Sequence, residues 1–143
     1  VGQRLPAVEV QEEDPGNSLS MAELFSCKRG VLFGVPGAFT PGCSKTHLPG
    51  FIQMAGELRA KGVDEVACIS VNDVFVMSAW GKQNGADGKC EIQSHFHGEV
   101  TFSVLSLNPD WLLVCRYAML IENGVVTKLS VEPDGTGLTC SLA

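Results

Sequence analysis

Charge is sparse in this chain, and positive charge most of all. Charged side chains make up 18% of the 143 residues, with 10 basic against 16 acidic. The formal net charge of −6 argues against a general nucleic-acid binder, which must neutralise phosphates with Lys and Arg. No apolar run approaches the roughly 18 residues that span a bilayer, so a water-soluble protein with no membrane segment is expected. The opening residues lack a basic stretch followed by an apolar one, and no secretory leader is expected there. Internal repeats and low-complexity tracts are absent. No G-x-G-x-x-G stands at a strand end, and "GADGK" lacks the spacing of a phosphate-binding loop, so no nucleotide cofactor is expected. The six cysteines, at 27, 43, 68, 90, 115 and 140, are widely spaced, with no C-x-x-C or other zinc spacing among them. His95 and His97, near Cys90, fit no zinc pattern either, and no metal is expected. A secreted disulfide framework is denser in a shorter chain, so most of these thiols read as reduced and buried.

What is present fits one domain over residues 1–143, long enough to bury roughly 68% of its unfolded surface. Val8 to Val10 can start a strand, and "EEDPGNS" reads as a turn-rich loop. Ser20 with Glu23 forms a capping box for a short helix over "MAELF". "GVLFGVP" is a buried strand ending near Pro36. Thr40 is placed to cap a helix with Pro41 in its first position, and Pro49 to kink it. Phe51, Met54, Ala55 and Leu58 carry helical spacing onward to a stop at Gly62. "EVACISV" is a second buried strand, "VFVMSAWGKQNG" a helix and "KCEIQ" a short strand. "YAMLIENGVVTKLSVE" is a hairpin turning at Asn123-Gly124. This order predicts an α/β fold, a central mixed β-sheet flanked by helices. In such sheets functional loops gather at the carboxyl ends of the parallel strands, where Cys43 falls.

A thiol reacts as thiolate, and a free cysteine with a pKa of about 8.5 is only a few per cent ionised at neutral pH. In the first turn of a helix, unpaired N–H groups and the helix dipole favour the anion, by about 0.3–1 kcal/mol when exposed and up to about 2 when partly buried. The Thr40 hydroxyl can donate to a thiolate or to a substrate oxygen. Pro36 and Pro41 stiffen the loop. A small, partly dry pocket of this kind suits attack on a small electrophile with a leaving oxygen.

"VPGAFTPGCSKTHLPGF" resembles the P-x-x-x-T-x-x-C active-site loop of the peroxiredoxins, with Pro36, Thr40 and Cys43 in its fixed positions. "LPAVEV", "EVACISVNDVFV" and "SVEPDGTGLTCSLA" are similar to the type V, atypical two-cysteine peroxiredoxins of animals. The likeness covers residues 1 to about 89 and 116 to 143. It implies a thioredoxin-like fold and reduction of hydrogen peroxide, alkyl hydroperoxides and peroxynitrite without a cofactor. It implies Cys43 as peroxidatic cysteine, passing through a sulfenic acid, and Cys140 as resolving cysteine, closing an intramolecular disulfide that thioredoxin reduces. Arg116 aligns with the family's active-site arginine, and Gly42 with Thr40, Cys43 and Arg116 would contact the peroxide. A monomer or weak homodimer in mitochondria, peroxisomes or cytoplasm is the corresponding expectation.

Residues 90–115 depart from the family's pattern, being several residues shorter and lacking its D-P-x-G-x-F turn. Two further readings therefore stand beside the peroxidase. In one, a non-enzymatic redox sensor or interaction protein has lost the pocket. In the other, a cysteine hydrolase uses Cys43 with a histidine base, for which His47, on the same helix, is poorly placed.

Overall fold

The computed structural model describes residues 2, 4, 9–12, 14–70, 72–88, 91–94 and 116–132. The expectations for Cys90, His95, His97, Cys115 and Cys140 lie outside the described residues.

Three parallel strands form the middle of the sheet: β3 (Arg29–Gly34), β4 (Glu65–Ser70) and β5 (Glu91–Ser94). Val31 to Gly34 and Val66 to Ser70 are buried, as continuous apolar runs in a sheet covered on both faces must be. A hairpin of β6 (Tyr117–Glu122) and β7 (Val125–Val131) adds to the free side of β3, antiparallel to it. Its turn places Asn123 at φ 53° and Gly124 at φ 77°, the left-handed pair that a tight hairpin requires. On the other side β1 (Glu9–Glu12) pairs with β5, and β2 (Asp14–Ser20) with β1. The described strands thus run in the order β2-β1-β5-β4-β3-β6-β7, the central mixed sheet read from the sequence.

Alternation along the strands builds a core on each face. Leu32, Ala67, Ile69, Met119 and Ile121 pack with Met21 and Phe25 from α1 (Met21–Leu24) and the turn after it. Val31, Phe33, Val66 and Cys68 pack on the opposite face against α2 (Leu48–Ala60) and α3 (Val74–Gln83), through Leu48, Phe51, Met77 and Trp80. Each such large apolar side chain contributes roughly 1.5–3 kcal/mol by leaving water. Asp73 caps α3, its carboxylate accepting from Val76 N–H at 2.9 Å. Gly62, at φ 88°, ends the α2 turn as its position after the helix demands.

Local expectations differ from the structure in four places. Most of "EEDPGNS" is strand, since β2 includes Asp14–Ser20. Among the described residues β2 is an outer strand bonded only to β1, where Pro15 can be accommodated, and the register shifts between Gln11 and Glu12. Ser20 occupies the cap position of α1 without a side-chain cap bond, so the capping box is not formed. Thr40 takes the cap position through its backbone, its carbonyl accepting from Ser44 N–H at 2.9 Å, whereas its hydroxyl turns back to Gly37. Finally, Pro49 does not produce a simple kink. The helix that opens at Pro41 widens into a π turn over Cys43–His47, in which Leu48 N–H reaches the Cys43 carbonyl five residues back, and α2 follows with Pro49 in its first turn. A proline has no N–H to give to the preceding turn, and the wider turn accommodates that loss.

Candidate active site at Cys43

The parallel strands β3 and β4 end side by side, and Val35 N–H continues their pairing by donating to the Ile69 carbonyl at 3.1 Å. From there the chain crosses the sheet edge through Pro36 to Thr40. Two tethers hold this crossing. Asn72 Oδ1 accepts from Ala38 N–H at 2.8 Å and from the Ser70 hydroxyl at 2.8 Å, pinning the loop to the end of β4. Thr40 Oγ1 donates to the Gly37 carbonyl at 2.8 Å. Between them Phe39 is forced to φ 62° with its ring exposed, a left-handed conformation that costs a bulky residue about 1–2 kcal/mol. The loop therefore has a fixed shape, at the cost of local strain.

The first turn of the helix then presents Cys43, fully buried. Helix geometry leaves the N–H groups of Gly42 and Cys43 without an intrahelical carbonyl. At the next residue, Trp80 Nε1 donates to Ser44 Oγ at 2.8 Å and fastens this turn to α3.

The second half of the site arrives from the far end of the sequence. Because β6 is antiparallel to β3, and Tyr117 pairs with Gly34, the residue before β6 emerges at the edge where β3 ends. That residue is Arg116, 3% exposed. Its Nη2 lies 3.3 Å from Cys43 Sγ and its Nη1 lies 3.1 Å from His47 Nδ1. The guanidinium donates to the sulfur from inside the protein, and being always protonated it is a fixed positive charge there. The backbone of Arg116 is itself held, its carbonyl accepting from Glu132 N–H at 3.0 Å beside β7.

Of the residues singled out from the sequence, the structure thus brings Arg116 to Cys43. Pro36 and Gly42 are half-buried in the loop and turn that lead to Cys43, and Thr40 is exposed in the same loop. Sequence reasoning did not find the Arg116–His47 contact. Its only trace was the four-residue spacing of His47 from Cys43, which places the two on one helical side. The Asn72 tether left no trace at all. Among the described residues no group of His, Cys, Asp and Glu could hold a metal ion, and no helix is long and apolar enough to cross a membrane.

The model of the Redoxin family matches residues 1–141. The chloroplastic peroxiredoxin-2E-2 of Oryza sativa subsp. japonica is 44% identical over 156 positions, covering 99% of this chain and 68% of the relative. Those positions outnumber the 143 residues here, so the rice protein carries extra residues within the match. Among solved structures, reduced Prx3 of Vibrio vulnificus in complex with hydrogen peroxide is 42% identical with a TM-score of 0.80, covering 92% of this chain and 86% of its own. Peroxiredoxin 5 of Alvinella pompejana is 36% identical with a TM-score of 0.79, covering 95% and 91%.

Proposed function

The chain belongs to the peroxiredoxins of the Redoxin family, thioredoxin-like in fold and thiol-dependent peroxidases in activity, and we propose that Cys43 is its peroxidatic residue. The observation that carries this reading is the Arg116 guanidinium 3.3 Å from a fully buried Cys43 Sγ in the first turn of a helix. The Cys43 thiolate attacks one oxygen of a hydroperoxide. An S–O bond forms as the O–O bond breaks, and the departing oxygen leaves with the bonding pair and a proton, as water or an alcohol. The sulfur is oxidised to a sulfenic acid and the peroxide is reduced. The N–H groups of Gly42 and Cys43 and the Arg116 fork are the donors available to the charge that builds on the oxygens. Thr40 stands exposed in the loop that Pro36 stiffens; its hydroxyl is given to the Gly37 carbonyl, and its lone pairs are left to accept from a peroxide O–H.

In the second stage the Cys140 thiol attacks the sulfenic sulfur, an S–S bond forms and water leaves. Thioredoxin, as dithiol, then reduces that disulfide and restores both cysteines. The atypical two-cysteine, type V placement draws support from the likeness to peroxiredoxin 5 of Alvinella pompejana, while the rice relative belongs to a chloroplastic, type 2E line. Hydrogen peroxide as substrate draws support from the Vibrio vulnificus complex, and alkyl hydroperoxides and peroxynitrite share its O–O bond. We place the activity in a single domain over residues 1–143, acting as a monomer or weak homodimer inside the cell. The rice relative's name favours a plastid over mitochondria, peroxisomes or cytoplasm.

A guanidinium on the sulfur favours this reading over the hydrolase, because arginine stays protonated and cannot take a proton from the thiol as a hydrolase base must. Intact-mass measurement after one equivalent of hydrogen peroxide tests it. Loss of two hydrogens is expected, through an internal disulfide. An unchanged mass in the presence of peroxide, with turnover of an activated ester, refutes it.

A further inference from the structure

We propose that His47 is a positioning residue for the peroxidase reaction: its Nδ1 accepts a hydrogen bond from Arg116 Nη1 and thereby aims the other arm of the same guanidinium at Cys43 Sγ. The inference rests on the peroxidase reading and adds to it the device that orients the arginine.

A guanidinium is a rigid planar fork, so fixing one terminal nitrogen fixes the direction of the other. Here Nη1 meets His47 Nδ1 at 3.1 Å and Nη2 meets Cys43 Sγ at 3.3 Å. Arginine only donates, so Nδ1 is the acceptor and the ring proton sits on Nε2. The ring cannot swing away from this task. It is fully buried, with its edge to Phe33 at 5.0 Å and 67° and to Phe51 at 5.5 Å and 66°, and those two phenyl rings stack on each other at 4.1 Å. Apolar packing alone would be served by a third phenyl ring. What imidazole adds is an acceptor facing the fork. Cys43 and His47 stand at the two ends of the π turn, so one local backbone feature presents both acceptors, sulfur and nitrogen, to a single cation. When the sulfur loses its charge on oxidation, the Nη1 bond keeps the guanidinium in place for the next thiolate.

The test separates packing from positioning by two substitutions with opposite defects. His47→Phe fills the space against Phe33 and Phe51 but offers no acceptor. His47→Asn packs poorly but carries an amide oxygen near the place of Nδ1. The rate at which the Cys43 thiol is lost on mixing with hydrogen peroxide is read by rapid quench and mass spectrometry, beside the melting temperature of each protein. His47→Phe is expected to slow oxidation about tenfold or more, as loss of one aligned charge-assisted bond does. His47→Asn is expected to restore most of the rate while melting lower than wild type. The reverse order, with the phenylalanine variant at the wild-type rate and the asparagine variant slow, overturns the proposal. If His47→Phe does not fold, His47→Gln replaces it. Its carbonyl sits one bond further out, where Nε2 stood, and the same loss is expected. Nitrogen NMR of labelled histidine in the wild type should find Nδ1 unprotonated, and a proton on Nδ1 is equally fatal. A wild-type protein that does not react with peroxide sinks the peroxidase reading and this inference with it. A reactive wild type with an equally fast, folded His47→Phe sinks the inference alone.

Discussion

Gly34 pairs with Tyr117 across β3 and β6, and the Tyr117 ring occupies the space that a side chain at position 34 would need. The glycine is therefore required by a neighbour and not by its own backbone. Tyr117 directly follows Arg116, so the same contact sets where the guanidinium leaves the sheet. Gly34→Ala is expected to destabilise by about 1–3 kcal/mol, the usual result of overfilling a packed core. It should also slow peroxide reduction, because Tyr117 can yield only by shifting its neighbour. Thermal melting and a single-turnover rate on the same sample check both, and an unchanged rate would separate Tyr117 from the site.

Arg116→Lys keeps the charge and loses the fork. One ammonium cannot meet Sγ and His47 Nδ1 with the two coplanar donors that the arginine uses. The expected loss in the rate of Cys43 oxidation is about 10²–10³, as for removal of one preorganised donor from an oxyanion site. Arg116→Ala should fall at least as far. Steady-state peroxide consumption measures both, and a lysine variant within threefold of wild type would mean that charge alone suffices.

The two cysteines should fail differently. Cys43→Ser should abolish peroxide consumption, since a hydroxyl at this position has no accessible anion. Cys140→Ser should complete one oxidation, gain one oxygen in intact mass and then stop accepting electrons from thioredoxin. Equal loss of the first step in both variants would contradict the division of roles.

Asn72→Ala removes the acceptor shared by Ala38 N–H and the Ser70 hydroxyl. With partly buried groups left unpaired, a cost of about 1–3 kcal/mol is expected. The loop from Pro36 to Thr40 should lose its fixed shape, and peroxide turnover should fall together with stability. Ser70→Ala leaves the Ala38 bond intact, so its turnover should fall less. Denaturant midpoints and rates for the two variants decide the point; a larger catalytic defect in the serine variant would rule out the tether.

The sequence was legible where one signal acted alone. β3 and β4 are unbroken apolar runs, and Asn123-Gly124 can do little but turn a hairpin, so these elements lie where periodicity and turn chemistry put them. Cys43 and Arg116 were named from the resemblance, and the antiparallel register of β6 on β3 gives the physical reason they meet. Pro15-Gly16 misled, because a local turn signal was overridden by pairing at an outer strand. The Thr40 hydroxyl, expected as a helix cap, found a nearer carbonyl at Gly37. His47 and Arg116 are 69 residues apart, and no local pattern encodes a contact made by bringing two sheet ends together.

The widened turn at Cys43–His47 also fixes an angular phase. An ordinary helix advances about 100° per residue, so side chains four apart drift by roughly 40° at each step. A turn that takes up one more residue gives back part of this drift, and Cys43, His47 and Phe51 stay closer to a single line. A chain shorter by one exposed residue, at Lys45 or Thr46, would keep its composition, its apolar pattern and its cysteine motif. The wide turn would then close to an ordinary one, and the sulfur and the imidazole, now three residues apart, would stand about 60° out of line before the one cation.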